Sequence, residues 1–225
     1  MDKPIVVGVI LLTLFIGLSV LAETPQELGK WKKGELLIEN YSFEDDLAAW
    51  NLEDGACCGR GGLYTMEIDK KNPQHGNKSL KIVGHKATGT PWHAKVKQKS
   101  VSMQKGEKYS VVFWARSEKP REVKVNFQMQ HAPWENYLRN QPNPVINLTG
   151  PEWEEYDYTF TATVDVSRDM WVSLSIAQSD TDFWIDNFRY FEGEPQDDLN
   201  RDTPFPVEAK EKLATRWGEI KTERF

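Results

Sequence analysis

Two loops and one strand pattern hold the side chains best suited to gripping a ligand. Gly89-Thr-Pro-Trp-His93 sets Trp92 beside a proline just ahead of a strand pattern, and His131-Ala-Pro-Trp-Glu-Asn-Tyr137 sets Trp134 and Tyr137 just after another. A ring next to proline in a polar loop is poorly placed to join a core, and the fixed proline φ pre-orders it. Between the loops, Val123, Val125, Phe127 and Met129 point one way, while Lys124, Asn126, Gln128 and Gln130 point the other. Flat rings offer stacking surface, and the uncharged amides Asn126, Gln128 and Gln130 offer donors and acceptors to a hydroxyl-rich partner. The amides supply selectivity more than energy, because each hydrogen bond nets only about 0.5–1.5 kcal/mol over water. His93 is a weaker candidate for the same rim. An ordinary wetted sheet face is the plain alternative.

These residues must be positioned by strands. Between 35 and 192 the dominant period is two, with runs at 63–69, 79–84, 93–101, 109–116, 123–130, 155–163, 170–177 and 183–191. Asn72-Pro73, Lys105-Gly106, Lys119-Pro120, Gly150-Pro151 and Ser179-Asp180 punctuate them. Many short strands with turns at such spacing predict an all-β antiparallel sandwich. No long helical pattern interrupts them, which argues against βαβ folds.

The ends read differently. Ile5 to Leu21 is an apolar run, and Val20-Leu21-Ala22 supplies small residues for cleavage, so residues 1–22 read as a signal peptide or, if uncut, an anchor. The mature chain is therefore expected to be secreted, periplasmic or cell-surface, and to meet a membrane only through an uncleaved leader. Residues 23–34 read as a polar spacer and 193–225 as an acidic linker with a short amphipathic helix, on which Ala209, Leu213, Trp217 and Ile220 share a stripe. That helix either caps the domain or docks on a protein partner. A net charge of −6 with no basic block argues against nucleic acid. The two cysteines are adjacent, so neither a disulfide framework nor a CxxC metal site is available.

Five segments carry a family resemblance: Glu39-Asn-Tyr-Ser-Phe-Glu44 with Trp50 behind it, His75-Gly-Asn-Lys-Ser-Leu-Lys-Ile82, Gly106-Glu-Lys-Tyr-Ser-Val-Val-Phe-Trp-Ala-Arg116, Trp153-Glu-Glu-Tyr-Asp-Tyr-Thr-Phe160 and Phe183-Trp-Ile-Asp-Asn-Phe188. In this order, over about 36–192, they resemble carbohydrate-binding modules of the family 4, 9 and 22 type, which are galactose-binding-like jelly rolls. The resemblance implies a non-catalytic module for glycan chains, often attached to glycoside hydrolases, in which rings at Trp92 and in the Trp134 loop sandwich a sugar. The amide face suits a neutral polysaccharide or oligosaccharide. At Lys95 the resemblance would suggest an acidic group in some members, and this departure bears on the ligand.

Glu44 ends the first strand segment and Asp186 lies in the last, and terminal strands of such a sandwich pair as neighbours. In the resembling modules carboxylates there bind structural calcium, joined by backbone carbonyls of the loop that holds His75 and Lys78 here; a salt bridge is the alternative. Cys57 and Cys58, flanked by glycines, could close a strained vicinal disulfide that stiffens a groove edge, stay as thiols, or bridge to another chain. No GxSxG, HExxH or P-loop fingerprint is present. A small glycan hydrolase or lyase using a groove acid such as Glu135, and an adhesion or scaffold domain that binds protein, are the alternatives to a binding module.

Overall fold

The computed structural model describes residues 31–138, 141 and 144–201. Ten antiparallel strands form two sheets: β1 (Trp50–Glu53), β2 (Tyr64–Asp69), β3 (Ser79–Gly84), β4 (Lys95–Met103), β5 (Lys108–Ser117), β6 (Arg121–Met129), β7 (Val145–Leu148), β8 (Glu154–Thr161), β9 (Val166–Ser175) and β10 (Phe183–Glu192). One sheet runs β1-β4-β9-β6-β7 and the other β2-β3-β10-β5-β8. The expected all-β sandwich is therefore present, and three short 3-10 turns are the sole helical pieces among the described residues.

Alternation explains the packing. Val123, Val125 and Phe127 of β6 meet Val172 and Leu174 of β9, and Val111, Phe113 and Ala115 of β5 meet Phe183 and Ile185 of β10 in one buried cluster. Aromatic pairs lace the two sheets: Phe127 lies 4.3 Å from Phe160 and 5.6 Å from Tyr190, centroid to centroid. Such pairs add about 0.5–1.5 kcal/mol each beyond the area they bury.

Two boundary expectations need correction. The segment ending at Glu44 is not a strand: Asn40 and Phe43 take positive φ, as do Asp46 and Ala49 just after it, which breaks extended backbone. It meets β10 only through the isolated bridge Leu36–Phe191 and scattered bonds such as Leu37 N to Tyr190 O and Phe188 N to Tyr41 O. The linker reading of 193–201 also fails, because this stretch folds back onto the body. Arg189 on β10 is almost fully buried, and its counter-charge comes from Asp198, equally buried at 2.7 Å, with Glu155 at 2.7 Å from the other side. A buried guanidinium demands such partners, so the sequence past β10 cannot leave. Part of the spacer joins too: Gly34 N donates to Glu192 O, and Trp31 packs on the core. The proposed leader and the 207–222 helix lie outside the described residues.

Asp198→Ala leaves Arg189 with Glu155 alone. It is expected to cost toward the lower end of about 3–5 kcal/mol, read as a fall in the urea midpoint at constant slope.

Candidate functional site

The site lies on the outer face of the β1-β4-β9-β6-β7 sheet. Strand β9 occupies the middle of that sheet, so with Val172 and Leu174 in the core, Trp171, Ser173 and Ser175 turn away from it. Register then places rows across the strands. Glu53, Lys95, Ser175 and Lys124 form one row; Asn51, Lys97, Ser173 and Asn126 form the next; Trp171 and Gln128 form the third. Side chains turned from a core normally meet water, yet Trp171 is 5% exposed and Ser173 1%. They are covered because long neighbours and loops wall the face into a trough.

Trp134 builds one end. Its indole stacks on Trp171 at 5.9 Å between centroids and 18° between planes, with 51% of the residue still open to solvent. The Gln128 side-chain amide holds this loop by donating to Trp134 O at 2.6 Å. Trp134 itself sits at φ 61°, a left-handed conformation that costs a non-glycine residue of order 1–3 kcal/mol. Trp92 marks the opposite end, on a 3-10 turn tied to the far end of β9 by Ala177 N donating to Pro91 O, and it is 53% exposed. About five residues of strand, roughly 16 Å at a rise of 3.3 Å, separate the Trp171 and Ile176 positions. The two rings therefore mark opposite ends of the β9 strip.

The other expected residues divide. Tyr137 is buried in the core, because its N–H donates to Phe127 O and draws the loop under the sheet edge. His93 is buried between Arg60, 2.9 Å from its Nδ1, and Thr88; desolvation, with Arg60 next, holds its pKa below the ordinary value, which keeps the ring neutral. It positions the Trp92 turn and is not a rim group. Gln130 ties loops together, accepting from Ser100 N and donating to Arg168 O. Of the three amides, Asn126 alone lies in the middle of the trough, donating to Ser175 Oγ at 2.7 Å.

Lysines stand beside the amides on this face. Lys97 Nζ stands 3.9 Å from the Trp171 ring centre and 2.7 Å from Glu53, and Lys95 Nζ is 3.8 Å from the same carboxylate. Neither Glu53 nor Lys97 was singled out in the sequence; their alternation with Leu52 and Val96 was the available signal. Cys57 and Cys58 lie at this rim as free cysteines with their sulfurs 2.7 Å apart. Burial, then the Cys58 and Glu53 hydrogen bonds, push the Cys57 thiol up to about 12, which keeps it protonated.

Two further tryptophans serve elsewhere. Trp50 is core, edge-on to Phe188 at 5.2 Å, and Trp184 lies on the opposite sheet beneath the Arg116 guanidinium at 3.9 Å.

Glu44 and Asp186 do reach one loop, 74–78, but on the wrong atoms for calcium. Glu44 Oε1 accepts from Asn77 N (2.7 Å) and Lys78 N (3.0 Å), while Asp186 Oδ2 accepts from Gln74 N and His75 N. Gly76, at φ 62°, permits the approach; a Cβ there would lie 2.4 Å from Glu44 Oε1. Lys78 Nζ, in turn, donates to Glu44 O at 2.6 Å and pairs with Asp46 at 2.9 Å. Calcium wants about six to eight oxygens. Amide N–H groups and an ammonium fill this place instead, and no group of three His, Cys, Asp or Glu among the described residues is set to hold a metal. The donor set does not fit the ion.

Residues 36–179 match the CBM_4_9 family, described as a carbohydrate binding domain. The chain belongs to that family. It is a non-catalytic carbohydrate-binding module of the kind associated with glycoside hydrolases. No curated protein matches the chain. Among solved structures it is similar to one titled "CBM4 structure and function", at 20% identity over 69% of this chain and 99% of that one, TM-score 0.53. It is also similar to the CBM22-1 xylan-binding domain of Xyn10C from Paenibacillus barcinonensis, at 16% identity over 72% and 97%, TM-score 0.52. A third likeness is to an arabinose-bound GH51 α-L-arabinofuranosidase, at 13% identity, where 83% of this chain covers 30% of the enzyme, TM-score 0.55. At these identities the likenesses show a shared fold.

Two outcomes follow for the loop around Glu44. Melting curves with added calcium and with chelator should superimpose, and a rise of several degrees with calcium would restore the cage. Burial, against the backbone N–H bonds, raises the Asp186 carboxyl from 3.8 to about 6. The folded chain then holds that proton more tightly than the unfolded one, so this contribution is full below about pH 4 and lost as pH rises through about 6. Asp186→Asn should flatten the stability curve between those limits, by on the order of 2–3 kcal/mol relative to wild type.

Proposed function

We propose that the trough on the β1-β4-β9-β6-β7 sheet is where this module takes its polysaccharide, with Trp134 as the stacking platform, the β9 strip as the floor and Trp92 at the far end. One observation carries the reading: an indole half open to solvent, seated on a second indole, at the mouth of a polar floor. A pyranose offers an apolar C–H face to such a ring and hydroxyls to the groups beneath it. The stacked partner keeps Trp134 from turning, so little rotamer freedom remains to be lost on binding. Asn126, Ser173 and Ser175 line the floor at the level where ring hydroxyls would lie. The apolar run at 5–21 supports action outside the cytoplasm, where polysaccharides are met.

Trp134→Ala should weaken binding by about 1–3 kcal/mol in affinity gel electrophoresis while moving the melting midpoint little. Tyr137→Ala should do the reverse in kind, losing about 3–5 kcal/mol of stability as a core aromatic. Unchanged mobility of Trp134→Ala in every polysaccharide gel that retards the wild type would remove the platform.

A further inference from the structure

We propose that the trough is built for an anionic glycan, a chain whose sugars carry carboxylate or sulfate groups, with Lys95 and Lys124 as the groups that read the charge. This rests on the trough being the polysaccharide site and adds the class of polysaccharide.

Charge accounting across the rows is the first ground. Lys95 and Lys97 both point into the trough and are 6% and 8% exposed, and both converge on Glu53. One carboxylate cannot neutralise two ammonium groups, and buried charge left unpaired is costly. Lys97 holds the closer share, at 2.7 Å from Glu53, and also lies over the Trp171 ring. Lys95 is left at 3.8 Å from that carboxylate and 5.5 Å from the same ring centre, and burial holds its pKa below the ordinary lysine value. An anion in the trough would return what burial removes.

Geometry is the second. Lys124 flanks Ser175 from the β6 side as Lys95 flanks it from the β4 side. Two strand spacings of about 4.8 Å put their backbones roughly 10 Å apart, so the two ammonium groups flank the same position and can act on one charged group of a sugar. Glu122, the next outward residue on β6, lies exposed at the rim opposite Asn147, one row beyond Lys124. Against a chain of net charge −6, this floor is cationic.

The third ground is two buried polar atoms with no partner: Ser173 Oγ and Trp171 Nε1. The indole N–H can only donate, and a serine hydroxyl donates readily, so both ask for acceptor oxygens. An anionic sugar brings more of these than a neutral one, and buried donors left unmet are rare in folded proteins.

The test is titration calorimetry on the full chain with polygalacturonate, polymannuronate and polyglucuronate oligomers, each beside its carboxyl-reduced neutral form, and with a sulfated galactan oligomer. At low salt, one acidic form is expected to bind at least tenfold tighter than its neutral counterpart, and 300 mM NaCl should shrink that ratio, because screening weakens exposed charge. Lys124→Met, at a half-exposed position that tolerates change, and Lys95→Met should each erase most of the ratio, whereas Trp134→Ala should weaken acidic and neutral forms alike. A preference carried by the uronates assigns carboxylate as the charge read, and one carried by the sulfated galactan alone assigns sulfate. Equal binding of acidic and neutral forms overturns the inference and leaves the trough as a glycan site. Binding of none of them, with no neutral polysaccharide retained in gels, overturns both.

Discussion

The alternation of β9 at the centre of its sheet is the constraint on which the site depends. Val172 and Leu174 commit to the core between the sheets, so Trp171, Ser173 and Ser175 must face outward. Hydrogen-bonded strands on both sides then fix, by register alone, which side chains stand beside them. A slip of one residue would exchange the two sets and put serines into the apolar layer, which that layer forbids. The trough is thus a consequence of packing on its other side.

Around that floor the structure spends polar groups on holding loops, not on meeting ligand. Gln128 clasps the Trp134 loop, Gln130 joins the 100 and 168 turns, and His93 with Arg60 braces the turn that carries Trp92. The same economy operates at the sheet ends, where Glu44 and Asp186 gather the amides of one loop. Lys78 supplies the positive charge beside them. Each carboxylate lone pair used by an N–H is one less for a metal, and the loop is already closed without one.

Burial of charge shapes the fold as well as the site. Arg189 is enclosed within β10 and is answered by Glu155 and Asp198, which obliges residues after the last strand to pack back across the sheet edge. In the trough the count is left uneven, with two ammonium groups to one carboxylate. One imbalance is resolved inside the chain; the other lies on the outer face of its sheet beside the Trp171 ring.

Much of this was legible in the order of residues. Period-two patterning gave away eight strands and the sandwich, and prolines beside Trp92 and Trp134 in polar loops marked the rings that stay exposed, because both signals are local. The four-residue edge strands β1 and β7 were too short to show a period, and four left-handed residues hid the turn character of 40–49. Tyr137 looked like Trp134's companion, since sequence spacing does not say which way a loop folds under a sheet. The charged groups beside the amides were hidden for a related reason: Lys95, Lys97 and Glu53 come from two other strands, and only cross-strand register brings them to that face. The chain by itself thus determined the strands and the exposed rings, through alternation and turn chemistry; the tertiary structure decided the charge, length and floor of the trough, because those are set by which distant strands lie side by side.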